Sequence, residues 1–369
     1  MNFKCVKNNL ENILKEAENF IGKDLDLPVL AGILLEVDNG FLTISSTNID
    51  STFNSEIPVV MEEKGKVVVL GDIFCKTISG IKDDEIEINI KDNLLIVKSK
   101  NNEVEINILD YNDFPTILKL EDQEEKDLNI KINISKNDFL NGMNSVVYSA
   151  SKSNIKPELS SVFINGNADD IIFVATDGFR LAEKRFKYQN DSNDEFSALV
   201  PSGFILQVIK VLTISQTDIL DVYFYQNQIF IKGKEFIISS RLVNGDYVDY
   251  KKLIPEDTNT SVILLKQDFI DASKLINIFS DDFNQINLNI TKKSFEIETK
   301  NKMGKNNVKI PAVIMGDEVK QDFNHKFIQD AFVSLNTDSI EFIFNPTKPL
   351  LIKPVGDKSF RYIIMPLSR

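Results

Sequence analysis

The sequence contains no tryptophan, one histidine and two cysteines among its 369 residues. Cys5 and Cys75 alone cannot form a disulfide framework, and together with His325 they are too few for a zinc finger or a Cys/His metal cluster. A Ser-His-Asp triad would have to use His325, which we expect at the start of a helix as a capped histidine on the surface. We therefore expect no metal site and no cofactor.

Long apolar runs are also missing. No segment approaches the roughly 20 residues that span a bilayer, and the first residues lack the apolar stretch of a secretion signal. The sequence therefore predicts a cytoplasmic protein without a membrane segment. With 43% hydrophobic and 26% charged residues, the chain has the balance of a folded protein and not of a disordered or fibrous one.

One structural plan is repeated three times along the chain. In each copy a short alternating strand leads into a helix whose apolar residues are spaced by three and four. The first apolar residues of these helices, Leu10, Phe139 and Phe269, lie 129 and then 130 positions apart. This spacing is close to a third of the chain and predicts a repeated domain.

The later part of each copy is repeated too, since a second helix is followed by a three-strand meander. The second helices are predicted at residues 72–78, 202–212 and 324–335. Each copy therefore has two amphipathic helices and about eight strands, which makes an α+β domain of two layers. The domains are predicted at residues 1–125, 126–255 and 256–369. Three unrelated α+β domains of matching length are the alternative.

Positive charge is scarce overall but unevenly placed. The net charge is −13, which normally argues against a nucleic-acid partner because nonspecific binding is mainly neutralisation of phosphates. The six predicted helices and their flanks nevertheless carry a net charge of +4, and the remaining chain carries −17. A mildly positive helical layer is typical of a protein that surrounds DNA through few, sequence-independent contacts.

The domain size fits such a ring. A domain of this length is about 35 Å across, so six domains in a hexagon leave a hole of about 35 Å, which is wide enough for a DNA duplex. One chain supplies three domains, and a two-fold homodimer would close the ring.

Residues 175–182, Ala-Thr-Asp-Gly-Phe-Arg-Leu-Ala, resemble the signature of the bacterial DNA polymerase III beta subunit family, the sliding clamps. Four further segments, spread over nearly the whole chain, resemble the same family. They are Leu-Pro-Val-Leu at 27–30, Asp-Phe-Pro at 113–115, Leu-Val-Asn-Gly at 242–245 and Tyr-Ile-Ile-Met-Pro at 362–366. The eight-residue string and the terminal Met-Pro, in this order, are specific to the family.

The resemblance implies the DNA clamp fold, in which two chains form a six-domain ring with the helices inside. Such a ring encircles double-stranded DNA without reading its sequence and has no catalytic residues of its own. The implied partners are the clamp loader, the DNA polymerase III alpha subunit and other proteins that carry a clamp-binding motif. A tethered polymerase rebinds its primer end by an intramolecular step, which raises its effective concentration.

The resemblance also implies a pocket that binds short linear peptides of these partners. By matching positions, its residues are Leu159, Thr176, Gly178, Phe179, Arg180, Leu181, Val248, Asn324, Phe327, Met365, Pro366 and Leu367. Apolar walls would bury leucine and phenylalanine of a partner, while Thr, Asn and backbone groups would orient the peptide. For Leu159, Leu181 and Phe327, a plain core position is an equally good interpretation.

The resemblance also implies residues for two other surfaces. The lysines that could face DNA are Lys23, Lys76, Lys152, Lys156 and Lys210. The dimer seam is expected to join an edge strand with Val104, Ile106 and Ile108 to residues 295–302 of the partner. Glu103 and Glu105 would then lie opposite Lys300 and Lys302, although surface ion pairs contribute only about 0–1 kcal/mol each.

Four positions depart from the family pattern. Val248 stands where a proline is usual, and Phe179 stands where histidine or another polar residue is frequent. Asp24 and Asp72 stand where relatives tend to carry basic residues toward DNA, which predicts unusually weak contact with DNA.

Two other functional classes remain as alternatives. A soluble hydrolase that depends on carboxylates is the main one, since acidic residues are plentiful and Asp177 lies in a turn. The chain lacks a nucleophile elbow and a Gly-rich phosphate loop, which argues against it. A surface or adhesion β-protein is the second, and the missing export signal argues against that.

Overall fold

The structure is a computed structural model that describes residues 1–22, 27–167, 169–188, 195–255, 258–280, 283–345 and 348–367. This described part contains six α-helices, two in each sequence repeat. They are α1 Lys7–Ala17, α2 Gly71–Gly80, α3 Lys136–Val146, α4 Ser202–Ile214, α5 Lys266–Ile278 and α6 His325–Ala331. None of these helices is long and apolar enough to cross a membrane.

The strands follow the same three-part plan, with nine, eight and nine strands among the described residues of the successive repeats. The first repeat has β1 Asn2–Val6, β2 Gly32–Asp38, β3 Phe41–Thr47, β4 Ser51–Pro58, β5 Val60–Glu63, β6 Gly65–Leu70, β7 Glu85–Lys91, β8 Leu94–Lys98 and β9 Glu103–Leu109. The second has β10 Leu128–Ser135, β11 Ser161–Gly166, β12 Asp170–Thr176, β13 Arg180–Lys187, β14 Phe196–Pro201, β15 Ile219–Tyr225, β16 Gln228–Lys232 and β17 Phe236–Arg241. The third has β18 Thr260–Leu265, β19 Gln285–Ile290, β20 Phe295–Asn301, β21 Gly304–Ile310, β22 Ala312–Gly316, β23 Val319–Asn324, β24 Ser339–Phe344, β25 Leu350–Pro354 and β26 Phe360–Ile364.

The three repeats share one core pattern, as their spacing predicts. Leu10, Phe139 and Phe269 begin the apolar faces of α1, α3 and α5, and each is at most 1% exposed. Apolar residues at intervals of three and four line one face of a helix, so each of these helices buries that face against the strands of its repeat. The α+β prediction of two helices and about eight strands per repeat is confirmed.

Hydrogen bonding between strands continues across the repeat boundaries. β4 of the first repeat pairs with β17 of the second, and β13 of the second repeat pairs with β26 of the third. The chain divides into two compact units, and each unit contains strands of more than one repeat. The first unit is Met1–Leu140 with Gly203–Leu242, and the second is Asn141–Ser202 with Val243–Arg369.

Each unit has its own sheets. The first unit holds a 13-stranded sheet in the order β10-β15-β16-β17-β4-β3-β2-β6-β9-β8-β7-β1-β5. The second unit holds a nine-stranded sheet, β14-β11-β12-β13-β26-β25-β24-β18-β22, and a four-stranded sheet, β21-β20-β19-β23. All pairings of these strands are antiparallel, as the hairpins and meanders of the sequence predict.

The position of His325 differs from the expected surface position. It is the first residue of α6, and Asn324 caps this helix by accepting a hydrogen bond from the N–H of Lys326 at 3.0 Å. The helix start is therefore confirmed, but the surface position is wrong, since His325 is only 2% exposed. Its ring lies against the α5 side, with Nε2 2.6 Å from Asn277 Oδ1 and Nδ1 3.0 Å from the Asn284 carbonyl oxygen. A ring with two such partners can be buried.

Candidate functional site

The turn between β12 and β13 is closed by its own side chains. The Thr176 hydroxyl donates to the Arg180 carbonyl oxygen at 2.6 Å and accepts from the Gly178 N–H at 3.1 Å. Asp177 Oδ1 accepts from the N–H groups of Phe179 and Arg180 at 2.9 and 3.1 Å. Gly178 has a φ of +90°, which a residue with a side chain adopts only with strain. The string Thr-Asp-Gly therefore has a direct structural reason.

The Arg180 side chain is the centre of the site and is only 8% exposed. Its Nε donates to Asp177 Oδ2 at 3.0 Å, its Nη2 donates to the Tyr148 carbonyl oxygen at 2.7 Å, and its Nη1 donates to Asp330. The guanidinium carbon lies 4.6 Å from the centre of the Phe327 ring, within cation–π range. A buried charge needs such partners, because an unpaired one would be strongly destabilising.

The chain terminus is attached to the same turn. β26 pairs with β13, and the N–H of Met365 continues the ladder by donating to the Phe179 carbonyl oxygen at 2.8 Å. The N–H of Leu367 donates to the Asp322 carbonyl oxygen at 2.8 Å. The side chains of Phe179 and Met365 remain 64% and 41% exposed, so two large apolar side chains reach the surface side by side.

The end of α3 and the end of α6 form the floor behind this turn. The Ser334 hydroxyl lies 3.0 Å from the Ser145 carbonyl oxygen and 3.1 Å from the Tyr148 hydroxyl oxygen. Burial raises the pKa of Tyr148 well above its usual range, so this phenol stays neutral at physiological pH. Phe327 on α6 is half-buried beneath the guanidinium.

The remaining predicted site residues have different environments. Leu181 is 1% exposed and belongs to an apolar cluster with Val174 and Ile363, so the core interpretation holds for it. Thr176 is also buried, and its hydroxyl is used within the turn. Leu159 is half-buried and ends a loop that begins at Ser151, whose N–H donates to the Leu159 carbonyl oxygen at 2.8 Å. Val248 is 39% exposed. Asn324, Pro366 and Leu367 are partly exposed, and residues 368–369 lie outside the described residues.

Sequence reasoning missed Tyr148 and Asp330. Asp330 lies 150 positions from Arg180, and a pairing over that distance leaves no local pattern. The available signal was indirect: an arginine placed among apolar residues at the start of a strand requires carboxylates when it is buried. Tyr148 contributes its backbone carbonyl, which any residue type could supply.

The described residues include no cluster of metal ligands and no reactive thiol. No three His, Cys, Asp or Glu side chains there come together as a possible metal site. Burial raises the pKa of Cys5 and Cys75 to about 12, so both thiols are protonated and poor nucleophiles at neutral pH.

The candidate DNA-facing lysines lie on exposed surfaces where they are described. Lys210 is on α4, and Lys152 and Lys156 are on the loop that follows α3. Lys76 is on α2 and forms an ion pair with Asp72 at 2.8 Å. Lys23 lies outside the described residues.

The strand proposed for the third-repeat side of the dimer seam is not an edge strand. β20 covers most of residues 295–302 and lies between β19 and β21, because the hairpin continues into β21. The outer strands of this sheet are β21 and β23. On the first-repeat side, β9 pairs with β8 along its length but with β6 only through Ile108 and Leu109. Val104 and Ile108 are half-buried, and Ile106 is 4% exposed.

Comparison with known proteins agrees with this architecture over the whole chain. The N-terminal, central and C-terminal domains of the DNA polymerase III beta subunit match residues 1–118, 133–249 and 251–368. The beta sliding clamp of Bacillus subtilis is 23% identical, with 100% of this chain and 99% of that protein covered. The beta sliding clamp of Buchnera aphidicola is 24% identical, with both chains covered completely.

Solved structures show the same fold. The beta subunit of DNA polymerase III from Thermotoga maritima superposes with a TM-score of 0.93 at 22% identity, covering 100% of this chain and 99% of that one. The sliding clamp of Bacillus subtilis gives a TM-score of 0.93 at 23% identity with the same coverage. The chain therefore has the three-domain fold of the DNA clamps. It belongs to the DNA polymerase III beta subunit family, as the motif at residues 175–182 predicts, and no match supports the hydrolase alternative.

Proposed function

We propose that this chain is a sliding clamp, of which two copies close into a ring around double-stranded DNA and tether the replicative polymerase. The observation that supports it most strongly is the way the repeats join. At each join, two elements of one repeat meet two elements of the next. The third strand after the first helix, β4 or β13, pairs with the last strand of the following repeat, β17 or β26. The first helix of the one repeat lies beside the second helix of the other.

Both joins follow this rule within their own unit. At the first junction β4 pairs with β17, and Gln207 on α4 donates to the Asn19 carbonyl oxygen, just after α1, at 2.9 Å. At the second junction β13 pairs with β26, and Arg180 donates to the Tyr148 carbonyl oxygen, just after α3. Continuing the rule leaves β21 with α5 in the third repeat and β9 with α2 in the first. Among the described strands, β21 pairs only with β20, and β9 pairs with β6 over only two residues, so we propose that these edges meet between two chains.

The strand edges at this third junction have suitable charge. Glu103 and Glu105 lie on β9, and Lys305 and Lys309 lie on β21. Complementary charge of this kind orients an encounter, while its contribution to affinity is small.

The helices at the third junction supply the apolar contact. Leu275 on α5 is 51% exposed, whereas Glu16 on α1 and Ser145 on α3, at the same repeat position, are 9% and 2% exposed. Ile278 on α5 and Ile73 on α2 are 60% and 47% exposed. Lys76 on α2 is equivalent to Gln207 on α4, which contacts the neighbouring repeat at the first junction. Lys76 could therefore lie at this seam or face DNA.

The ring would hold DNA by enclosure. Lys152, Lys156 and Lys210, with Lys23, are the residues we propose to face the phosphates, with Lys76 as a further candidate. Few such contacts on a chain of net charge −13 give weak, salt-sensitive and sequence-independent attraction, which permits sliding.

The surface around Phe179 and Met365 is proposed as the binding site for linear peptides of partners, namely the clamp loader, the polymerase III alpha subunit and other proteins with a clamp-binding motif. Exposed aromatic and thioether side chains over an ordered floor are suited to a peptide's leucine and phenylalanine. The chain would act as a homodimer in the cytoplasm and contribute no catalytic group.

A topological experiment tests the clamp proposal. The protein is loaded onto nicked circular DNA by a clamp loader, and the fraction retained after gel filtration is measured before and after the circle is cut. We expect retention on circles and loss from linear DNA within minutes, because an enclosing ring slides off free ends. Equal retention on both forms would contradict encirclement.

A further inference from the structure

The turn of the candidate site exists twice in the chain. The turn between β3 and β4, at the first junction, lies 129 positions earlier and repeats three of the hydrogen bonds that close this turn. The Thr47 hydroxyl donates to the Ser51 carbonyl oxygen at 2.9 Å and accepts from the Ile49 N–H at 3.0 Å. Asn48 Oδ1 accepts from the Ser51 N–H at 2.8 Å. The Arg241 N–H donates to the Asp50 carbonyl oxygen at 3.0 Å, as Met365 does to Phe179.

The two turns differ in what fastens them to the neighbouring helix. At the first junction the contact is uncharged: the Ser51 hydroxyl lies 3.0 Å from Gln207 Oε1, and Gln207 bonds the Asn19 carbonyl oxygen. At the second junction Arg180 replaces Ser51, and Asp330 has the repeat position of Gln207. A neutral contact is therefore sufficient to join two repeats, and the ion pair needs another explanation.

The difference in exposure supplies that explanation. At the first junction, Asp50 has the position of Phe179, and Phe204 has the position of Phe327. Phe204 is 3% exposed and packs edge-on to Phe20 with ring centres 6.4 Å apart, so its ring is fixed by the core. At the second junction the corresponding ring of Phe327 is half-buried, and Phe179 is 64% exposed. Side chains that the core does not hold require another means of positioning.

We propose that Arg180 and Asp330 form an ionic brace that positions Phe179, Phe327 and Met365 as one peptide-binding surface. The inference rests on the proposed function of this surface and assigns it a positioning pair. The Arg180 guanidinium binds the Asp177 side chain, and the backbone of Phe179 lies between these two residues. The Phe179 carbonyl holds Met365, and the guanidinium covers the Phe327 ring. Each of the three side chains is thus one contact from Arg180 or its turn.

The absence of tryptophan from the chain allows a direct test. Phe179→Trp introduces a single indole fluorophore whose steady-state anisotropy reports the mobility of this side chain. Asp330→Ala and the nearly isosteric Asp330→Asn are compared in this background. The control is Asp271→Ala on α5. Asp271 is also a helical aspartate in an ion pair, and its partner is Lys274 at 2.7 Å. Affinity is measured separately with Phe179 intact, using a labelled synthetic peptide that copies the clamp-binding segment of a polymerase III alpha subunit.

We expect both Asp330 variants to lower the anisotropy of the introduced indole and to weaken peptide binding, by about tenfold for Asp330→Ala. Asp271→Ala should change neither quantity. Unchanged anisotropy and affinity in folded Asp330→Ala or Asp330→Asn would overturn the brace. Failure of the parent protein to bind the peptide would contradict the proposed pocket alone, because the anisotropy measurement needs no peptide and still decides whether Asp330 holds the turn.

Discussion

At the residue scale, the repeated turn shows how one backbone conformation is met by different residues. Gly178 has a φ of +90° and Ile49 has a φ of +80° at the same position of the two turns. Glycine adopts this region freely, whereas a β-branched side chain adopts it only with strain. The first turn therefore stores backbone strain that the second avoids.

Ile49→Gly should consequently stabilise the protein. Relief of the strained φ contributes about 1–3 kcal/mol, and the added flexibility of the unfolded chain costs about 0.5–1 kcal/mol, so a net gain of about 1 kcal/mol is expected. Ile49 is 44% exposed, which keeps the loss of buried area small. Thermal unfolding measures the change, with Ile155→Gly, at an exposed loop position, as the control. A lower Tm for Ile49→Gly would contradict the strain argument.

Phe179 is an aromatic residue that the packing of the chain leaves 64% exposed. Phe179→Ala should weaken binding of the polymerase peptide at least tenfold, or about 1.4 kcal/mol, because an aromatic anchor is lost. The Tm should hardly change, since the side chain is 64% exposed. Calorimetric titration measures the affinity, and Phe41→Ala, at a phenylalanine that is 47% exposed in the first unit, is the matched control. Unchanged affinity would show that the pocket is misplaced.

At the scale of elements, equivalent positions on the first helices of the three repeats have different environments. One position of this face is Glu16 on α1, Ser145 on α3 and Leu275 on α5. At the first junction this position buries a carboxylic acid. Burial and the nearby negative charge of Glu235 raise the pKa of Glu16 to about 7 from its ordinary 4.5. The acid is thus mostly neutral in the folded chain below neutral pH.

This raised pKa predicts a pH dependence of stability. The folded state binds the Glu16 proton more tightly than the unfolded state, so the stabilisation is complete below about pH 4.5 and is lost as the pH rises through about 7. The contribution of this group to the free energy of unfolding should fall by roughly 3 kcal/mol between pH 4.5 and 8. Urea unfolding of Glu16→Gln should show a flatter pH profile than the parent. Identical profiles would contradict the assignment.

At the scale of the whole molecule, the proposed third junction would decide whether two chains form a ring. Leu275 and Ile278 on α5 are exposed, although the position of Leu275 is buried on α1 and α3. Exposed apolar groups at a repeated joining position are expected to be covered by a second copy.

Leu275→Asp should therefore convert the proposed dimer to a folded monomer. A buried, unpaired carboxylate in an interface costs several kcal/mol, and the monomer already exposes this position, so its fold should persist. Native mass at micromolar concentration should fall from about twice 41.9 kDa to 41.9 kDa. Leu206→Asp on α4, a helical leucine that is 50% exposed, is the matched control and should remain dimeric. A dimeric Leu275→Asp would place the seam elsewhere.

The sequence by itself determined the repeated plan and the turn of the site. Leu10, Phe139 and Phe269 mark it because helical periodicity is local, and the Thr-Asp-Gly turn is encoded in adjacent residues. The family follows from the same short segments. These features depend on neighbours within a few positions, so the order of residues is sufficient to predict them.

Only the tertiary structure decided which distant groups meet. It paired Arg180 with Asp330, buried His325, placed Leu181 in the core and put β21, not β20, at an edge of its sheet. Each of these depends on how strands register and which helix face turns inward over separations of tens to more than a hundred residues. Such contacts are selected by the packing of the complete chain, and no local pattern records them.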